Sequence, residues 1–213
     1  MIAIARHALG VTCLALLFGC TQEAEVGSDP PAEGAPECDS TAGLRLYYWN
    51  ARPEKTTNLI DFLVKVENRN GAPIPLATLS VRYYFSDELP PPVTLEVYYS
   101  DTCCSNKIRF DDQVLTSVQS ISAPPRADSY IELGFAKSVG ELAPGDAVQV
   151  ELGYQDAAFV ATSTQSNDYS FLATATGTQA EWDACPGPAC LKNFTNCALT
   201  VHQAGDRVWG TPP

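Results

Sequence analysis

Apolar side chains recur at every second position through much of this chain, and this alternation constrains the fold more than any other feature. The clearest run places its apolar residues at Ile60, Phe62, Val64 and Val66. Similar alternation occupies residues 79–85, 130–135 and 148–152. Successive strand side chains point to opposite faces, so a period of two predicts strands with one buried face. Because Pro and Gly turns separate these runs and no long helical pattern occurs, we predict an all-β sandwich.

The first 19 residues have the pattern of an export signal. Arg6 precedes an apolar run from Ala8 to Phe18, which is too short to span a bilayer and fits the apolar region of a signal peptide. The run ends at Gly19-Cys20 and resembles a bacterial lipobox. We therefore predict that residues 1–19 are a lipoprotein-type signal and that Cys20 is lipidated, which would anchor the chain stably. An ordinary secretory signal followed by a chance cysteine is the alternative.

Residues 20–42 are predicted to be an acidic tether rich in Pro and Gly. This segment holds six acidic residues and neither Lys nor Arg, and it has too few apolar residues to offset the entropy lost on ordering. Because Thr21 rather than Asp follows Cys20, we expect a lipoprotein of the outer membrane in the bacterial cell envelope, or a secreted protein if Cys20 is not lipidated.

Residues 43–213 are long enough for one domain with a substantial core. They contain 12 basic and 19 acidic residues, a net charge of −7. A domain with this charge and no basic cluster is a poor nucleic-acid binder, so no nucleic-acid partner is expected. A neutral polysaccharide is compatible with the charge.

The mature chain would keep six further cysteines besides Cys20. They are Cys38, Cys103, Cys104, Cys185, Cys190 and Cys197. Six cysteines in an oxidising compartment allow three disulfides in 15 connectivities. We expect Cys185–Cys190 to close the Pro-Gly-Pro loop. Zinc binding is the alternative, but His202 is the only histidine left to complement the thiolates.

The segment Thr164–Phe171 combines oxygen donors with the start of an apolar alternation. Its side-chain oxygens come from Thr164, Gln165, Asn167 and Asp168. Ca²⁺ takes six to eight oxygen ligands in flexible geometry, so this spacing is compatible with a calcium site. A plain polar turn before a strand is the alternative.

Several motifs in order give the chain its resemblance to a known family. They are the Arg82-Tyr-Tyr strand, Ala127-Asp-Ser-Tyr-Ile-Glu132, Leu142-Ala-Pro-Gly145, the Thr164–Phe171 run and the closing Val208-Trp-Gly210. Together they resemble the family 3 carbohydrate-binding modules, the cellulose-binding domains of bacterial cellulases and cellulosome scaffolds, over residues 44–213. The resemblance implies a nine-stranded antiparallel jelly-roll β-sandwich. The cysteine-rich stretch 184–197 is an insertion relative to the family pattern.

The resemblance also implies a structural calcium ion. The positions that correspond to the family's metal ligands are Ser86 (through its backbone carbonyl), Glu88, Thr164, Asn167 and Asp168. The family usually has Asp where Glu88 stands, and Asp87 is a neighbouring substitute.

Carbohydrate binding in the family uses a flat strip of aromatic and polar side chains on one sheet. The strip tryptophan corresponds to a position near Phe159, the strip Arg falls near Gly153, and an Asp-His pair falls near Tyr98-Tyr99. We therefore predict Tyr98, Tyr99 and Phe159 as carbohydrate-binding residues. Strict alternation places Tyr99 with Leu95 and Val97, so it favours Tyr98 as the exposed ring, with core packing as the alternative for each aromatic.

Family members also carry a shallow groove on the opposite sheet. Its residues correspond to Arg82, Tyr84, Tyr130, Glu132 and Tyr169. A bound peptide or linker and a structural network of tyrosines are the two interpretations.

The resemblance implies non-catalytic binding of insoluble cellulose or a related β-glucan, with a glycoside hydrolase as a possible partner. A sandwich that has lost glucan binding and serves a structural or protein-interaction role is the alternative. An enzyme is disfavoured, since His202 is isolated and no G-x-S-x-G motif occurs. If the chain were an enzyme, a pair of its many carboxylates acting in glycoside hydrolysis would be the catalytic group to expect.

Overall fold

The structure is a computed structural model that describes residues 38, 40–103, 107–122, 126–186 and 193–213. These residues belong to one compact unit, Pro31–Pro213. The predicted signal, Cys20 and most of the predicted tether lie outside the described residues.

Eleven strands follow one another along the described chain. In order they are β1 (Leu44–Asn50), β2 (Ile60–Asn68), β3 (Ile74–Pro75), β4 (Leu79–Phe85), β5 (Val93–Cys103), β6 (Val114–Ser120), β7 (Ser129–Phe135), β8 (Glu141–Leu142), β9 (Ala147–Asp156), β10 (Thr200–Gln203) and β11 (Asp206–Trp209). The helical segments are 3₁₀ turns at Leu76–Thr78, Asp111–Gln113, Lys137–Val139 and Gln165–Asn167, and the five-residue helix α1 (Gln179–Asp183).

Nine of these strands form two antiparallel sheets. Sheet I has the order β1-β2-β9-β5, and sheet II has the order β11-β10-β4-β7-β6, while β3 and β8 make a separate pair. The predicted all-β sandwich with nine antiparallel strands is therefore confirmed.

The core lies between the inner faces of the two sheets. Sheet I contributes the alternate residues of β2 that the sequence pattern singled out, including Ile60 and Phe62, together with Val150 and Leu152 of β9. Sheet II contributes the opposite layer, in which the ring of Tyr83 stacks on Phe62 with centroids 4.5 Å apart. Burial of these aromatic and aliphatic side chains is the main favourable term in folding.

The start of the domain is attached to its end. Cys38 forms a disulfide with Cys197, and Thr41 N donates a hydrogen bond to Val208 O at 3.0 Å. Residues 38 and 40–42, which belong to the predicted tether, thus contact sheet II. Cys103 and Cys185 are also disulfide-bonded. The predicted Cys185–Cys190 pairing involves Cys190, which lies outside the described residues, as does Cys104.

Within the described part of the chain, no helix has the length and apolar character needed to cross a membrane.

Candidate functional site

A β-bulge in strand β5 places two tyrosines on the outer face of sheet I. Val97 pairs with Leu152 and Tyr99 pairs with Glu151, so Tyr98 is an extra residue without a partner on β9. An extra residue reverses the alternation that follows it. The expectation that Tyr98 and Tyr99 face opposite sides is therefore wrong, and Tyr99 points outward as its partner Glu151 does.

The ring of Tyr98 lies over Gly153 on the same outer face. Leu152 and Tyr154 point into the core, so the intervening Gly153 presents its missing side chain to the outside. A Cβ atom at position 153 would stand 2.7 Å from two ring carbons of Tyr98. Burial raises the pKa of the Tyr98 phenol, and the charge of Asp61 adds to the effect. The glycine at the position of the family's strip Arg thus makes room for an aromatic ring.

Tyr99 is held by two charged neighbours. Its hydroxyl donates a short hydrogen bond to Asp101 Oδ2, and the guanidinium of Arg109 lies 5.0 Å from the ring centroid. Burial and the bond to Asp101 raise the pKa of Tyr99 to about 12. Arg109 is fixed in turn by Asp111 and by the carbonyl of Tyr98, to which its Nη2 donates at 3.3 Å. The ring is therefore preorganised before any ligand arrives.

Polar residues of β9 lie beside these rings. The outer face of sheet I carries three complete rungs. The two beside the rings are Trp49, Leu63, Glu151 and Tyr99 in one case and Tyr47, Lys65, Gln149 and Asp101 in the other, and the third is Arg45, Glu67, Ala147 and Cys103. Burial raises the pKa of the Glu151 carboxyl, and the nearby charge of Asp61 raises it further. Glu151 offers acceptors next to the aromatic surface, whereas Gln149 is buried and its Oε1 accepts a hydrogen bond from Trp182 Nε1.

A segment between β9 and β10 packs over the β1 and β2 side of this face. We call residues 179–186 and 193–196 the cover segment. Its Trp182 and Phe194 form a second apolar cluster with Tyr47 and Leu63, separate from the main core. A groove of about 440 Å³ separates the cover segment from the uncovered part of the face. Tyr98 and Tyr99 lie on one side of this groove, and α1 lies on the other.

Phe159 lies in an exposed loop beyond the end of β9. Its side chain is 51% exposed, its φ is 60°, and Asn58 Nδ2 donates to its carbonyl at 3.2 Å. The carboxylate of Asp156 holds the loop by accepting hydrogen bonds from the backbone amides of Ala158, Val160 and Ala161. Phe159 is available for contact, but it does not line the groove beside Tyr98 and Tyr99.

The five residues of the predicted shallow groove meet on the outer face of sheet II. Arg82 forms an ion pair with Glu132 and lies 4.6 Å from the ring centroid of Tyr130. Tyr84 packs against Tyr130 and Tyr169, with centroids 5.7 and 6.2 Å apart. This surface is therefore a connected network on the sheet opposite to the Tyr98 face.

The five predicted calcium ligands also come together. Glu88 accepts hydrogen bonds from Thr164 N and from Asn167 Nδ2, both at 2.8 Å. Asp168 Oδ1 accepts one from Ser86 N at 2.9 Å. The turn after β4 and the segment 164–168 are thus joined by the side chains that the sequence selected.

An unpaired oxygen at this place fits a cation. Asp168 is fully buried, and its Oδ2 has no hydrogen-bond partner among the described residues. Burial, together with the charges of Glu88, Asp128 and Asp87, raises the pKa of this carboxyl to about 8 against the opposing hydrogen bond from the Ser86 amide. A buried carboxylate among acids needs a positive partner to remain ionised.

Carbonyl and amide oxygens would have to complete such a site. Within the described ranges, no group of three or more His, Cys, Asp or Glu side chains is placed to hold a metal ion by itself. Ca²⁺ accepts mixed oxygen ligands, so the donor set remains suitable for it.

Sequence reasoning missed the residues that shape the rest of the Tyr98 face. Lys65 reads as an exposed polar position of β2, but its side chain is buried beneath Trp182. Glu151 and Arg109 carry no motif. Only the unexplained cysteine-rich insertion signalled that something additional would pack on the domain.

Solved structures that share this sandwich architecture are carbohydrate-binding modules. A CBM3a-L domain from scaffoldin cipA of the Clostridium thermocellum cellulosome superposes with a TM-score of 0.69 at 26% identity, covering 83% of this chain and 95% of that one. A family 3a carbohydrate binding module from the same scaffold gives a TM-score of 0.64 at 27% identity, covering 78% of this chain and 99% of that one.

Sequence comparison identifies the family. The profile described as "Cellulose binding domain" matches residues 45–210, so the chain belongs to the family 3 carbohydrate-binding modules, which are non-catalytic. Endoglucanase 5 of Pectobacterium carotovorum is 30% identical over 178 residues, which is 82% of this chain and 30% of that protein. Anti-sigma-I factor RsgI2 of Acetivibrio thermocellus is 28% identical over 185 residues, 83% of this chain and 25% of that protein. The chain thus spans less than a third of these relatives.

Proposed function

We propose that this domain binds cellulose or a related β-glucan, without chemistry, through the outer face of sheet I. The observation that carries the proposal is the β5 bulge, which presents Tyr98 and Tyr99 on one face beside Glu151 and Gln149. Membership of the cellulose-binding family supports the class of ligand.

The chemistry of this face suits a neutral sugar chain. An aromatic ring lies well against the apolar face of a pyranose, while neighbouring polar groups bond its hydroxyls. A carboxylate such as Glu151 accepts a hydroxyl hydrogen bond more strongly than a neutral acceptor does. Tyr99 is held in place before binding, so little rotamer entropy is lost when the sugar arrives.

Substitution of the three predicted aromatics tests the proposal. The chain carrying Cys20→Ser is incubated with amorphous cellulose, beside variants with Tyr98→Ala, Tyr99→Ala or Phe159→Ala. Tyr130→Ala is the matched control, because it removes a partly exposed ring from the opposite sheet. We expect Tyr98→Ala and Tyr99→Ala to weaken binding at least five-fold and Tyr130→Ala to leave it unchanged. Loss of binding in the control alone would move the site to sheet II.

We also propose that calcium joins the turn after β4 to the segment 164–168. The ligands would be Ser86, Glu88, Thr164, Asn167 and Asp168, and the ion would neutralise the buried carboxylate. Its role is structural, since Tyr98 and Tyr99 lie on the other sheet. The unpaired Asp168 Oδ2 supports this assignment.

At the level of the cell, we propose an envelope protein anchored through a lipid on Cys20. The lipobox-like sequence supports this location, and the relatives support a role in polysaccharide use: their names include an endoglucanase and the cellulosomal-scaffolding protein A. A glycoside hydrolase is the proposed partner. Labelling with a radioactive fatty acid, compared between the native chain and Cys20→Ser, tests the anchor; equal labelling would contradict it.

A second candidate function concerns sheet II. Tyr169 donates a hydrogen bond to Pro212 O at 3.2 Å, so a stretch of polypeptide already contacts the network of Arg82, Tyr84 and Tyr130. This contact favours a protein-interaction surface there. Crosslinking to a co-expressed glycoside hydrolase that is lost in Tyr130→Ala, while glucan binding persists, would support that role.

A further inference from the structure

We propose that the cover segment converts the binding face into a one-sided groove that takes a single neutral β-glucan chain in preference to the flat surface of a cellulose crystal. The inference rests on the proposed function, because it concerns the same outer face of sheet I. It names the physical form of the ligand, which family membership leaves open.

Of the two rungs beside the tyrosines, the one that ends at Asp101 is buried along its whole length, and the one that ends at Tyr99 remains open at Glu151 and Tyr99. On β1 and β2, Tyr47 and Lys65 are each 1% exposed and Leu63 is 7% exposed, although all three point away from the sandwich core. On β5, Tyr98 and Tyr99 remain partly exposed. The open part of this face beside the cover segment is therefore the small patch formed by Tyr98, Tyr99 and Glu151.

The cover segment is attached firmly to the sheet. Lys65 Nζ donates hydrogen bonds to Trp182 O at 2.9 Å and to Cys185 O at 3.1 Å, and it lies 4.6 Å from the Trp182 ring centroid. Trp182 Nε1 donates to Gln149 Oε1 at 3.1 Å, which ties the segment to the middle of the sheet. The segment is therefore a fixed part of this surface.

The helix within the cover segment begins with its own stabilising contacts. Thr178 and Glu181 form a capping box, in which each side chain bonds the other's backbone amide. Trp182 packs edge-on against Phe194 with centroids 5.4 Å apart. These contacts explain how so short a helix keeps its shape on the sheet.

The helix α1 forms a wall beside the tyrosines, and the height of this wall prevents them from contacting a flat solid. A helix with its side chains is roughly 10 Å thick, so α1 rises well above the plane of Tyr98 and Tyr99. A crystal face resting on the wall would be held off the tyrosines that border it. A single chain can lie beside the wall, and the groove volume of about 440 Å³ is within the range of about 300–1,000 Å³ typical of ligand sites.

The groove can bond a chain from its side as well as from below. Gln179 and Asp183 of α1 line one flank, where Gln179 Nε2 donates to Asp183 Oδ1 at 2.9 Å, and Glu151 lies on the floor. Edge hydroxyls of a chain within a crystal already bond neighbouring chains, whereas those of a separate chain are free to bond these groups. The lining holds two carboxylates, those of Asp183 and Glu151, against the single ammonium of Lys107, and this balance favours a neutral chain over an anionic polysaccharide.

Comparison of three cellulose-type ligands tests the inference. The chain carrying Cys20→Ser is titrated with soluble hydroxyethyl cellulose, amorphous cellulose and microcrystalline cellulose. We expect at least ten-fold tighter binding to the first two than to the crystals. The double substitution Gln179→Ala with Asp183→Ala should weaken binding to soluble chains at least five-fold while the domain stays folded at the assay temperature. The matched control is Gln119→Ala with Asp206→Ala, which alters exposed residues outside the groove.

The possible outcomes separate the inference from the proposed function. Equal or tighter binding to microcrystalline cellulose would overturn the groove while leaving glucan binding intact. Soluble-chain binding that is abolished by Tyr99→Ala but unaffected by the double substitution would overturn the role of the wall. Binding to none of the three ligands would refute the proposed function itself.

Discussion

Tyr98 lies so close to Gly153 that a Cβ atom at position 153 would stand 2.7 Å from two carbons of the tyrosine ring. The backbone of Gly153 does not have a positive φ, so its conformation does not demand glycine. The absence of a side chain is what allows the hydroxyl end of the ring to approach β9. The aromatic surface of the proposed site therefore depends on a residue that makes no side-chain contact of its own.

Gly153→Ala is expected to weaken glucan binding by displacing Tyr98. The added methyl group would meet the hydroxyl end of the Tyr98 ring, 2.7 Å from two of its carbons, so this end of the ring must move. We expect at least a five-fold loss of affinity, about 1 kcal/mol, as measured by depletion assays on amorphous cellulose.

Gly71→Ala is the matched control for this substitution. No atom lies within 4 Å of the Cβ position at Gly71, and its φ is not in the left-handed region. Its affinity for amorphous cellulose should equal that of the native chain. If Gly153→Ala also bound like the native chain, the position of the Tyr98 ring would be irrelevant to binding.

The sandwich was predictable from the sequence, whereas the facing of the two tyrosines was not. Alternation of residues such as Phe62 and Val64 reports burial directly, because a half-buried strand needs it. A bulge is set by the register between β5 and β9, which involves residues about 50 positions apart in the chain. Alternation counted along β5 alone therefore placed Tyr99 on the wrong side.

The cover segment was unpredictable for a related reason. Lys65 and Trp182 are 117 residues apart, and neither belongs to a sequence motif from which their contact could be predicted. A lysine between apolar strand residues is normally solvated, so the pattern of β2 marked it as exposed. By contrast, the residues around Asp168 could be found because they form a contiguous family signature; Gln165, which looked like another ligand, instead donates to the carbonyls of Arg52 and Glu54.

Lys65 is expected to make stability depend on pH in the alkaline range. Burial lowers the pKa of its ammonium from the ordinary 10.5 to about 8, partly opposed by the charges of Asp183 and Asp101. Between these two values the unfolded chain binds more protons than the folded one, so the free energy of unfolding rises with pH. Below pH 8 the folded protein carries the full penalty of a buried charge.

Urea unfolding of the native chain and of Lys65→Met at pH 7, 8 and 9.5 measures this effect. Between pH 8 and 9.5 the native chain should gain about 2 kcal/mol relative to the variant. The substitution keeps the length of the side chain and removes its charge, while titration of the tyrosines is common to both proteins. A constant difference between them across this range would show that Lys65 keeps its ordinary pKa.

Calcium is expected to raise the melting temperature of the chelator-treated protein. An ion that binds only the folded state at 100 times its Kd adds about 2.7 kcal/mol, which corresponds to ~5–10 °C for a domain of this size. Differential scanning calorimetry with and without added Ca²⁺ measures the shift. Asp168→Asn should abolish most of the response, whereas Asp206→Asn, an exposed change outside the proposed ligand set, should preserve it. A melting temperature that changes neither on chelation nor on addition of Ca²⁺ would contradict the proposed structural calcium site.

Loss of the Cys38–Cys197 disulfide is expected to destabilise the domain without altering its ligand. The bond joins residues 159 positions apart, and closing so long a loop restricts the unfolded chain strongly. The double substitution Cys38→Ala with Cys197→Ala should lower the free energy of unfolding by about 2–5 kcal/mol. Glucan affinity at 20 °C should stay within two-fold, because both cysteines lie outside the groove beside Tyr98 and Tyr99. A change in affinity without a change in unfolding would mean that this bond acts on the binding face and not on the stability of the sandwich.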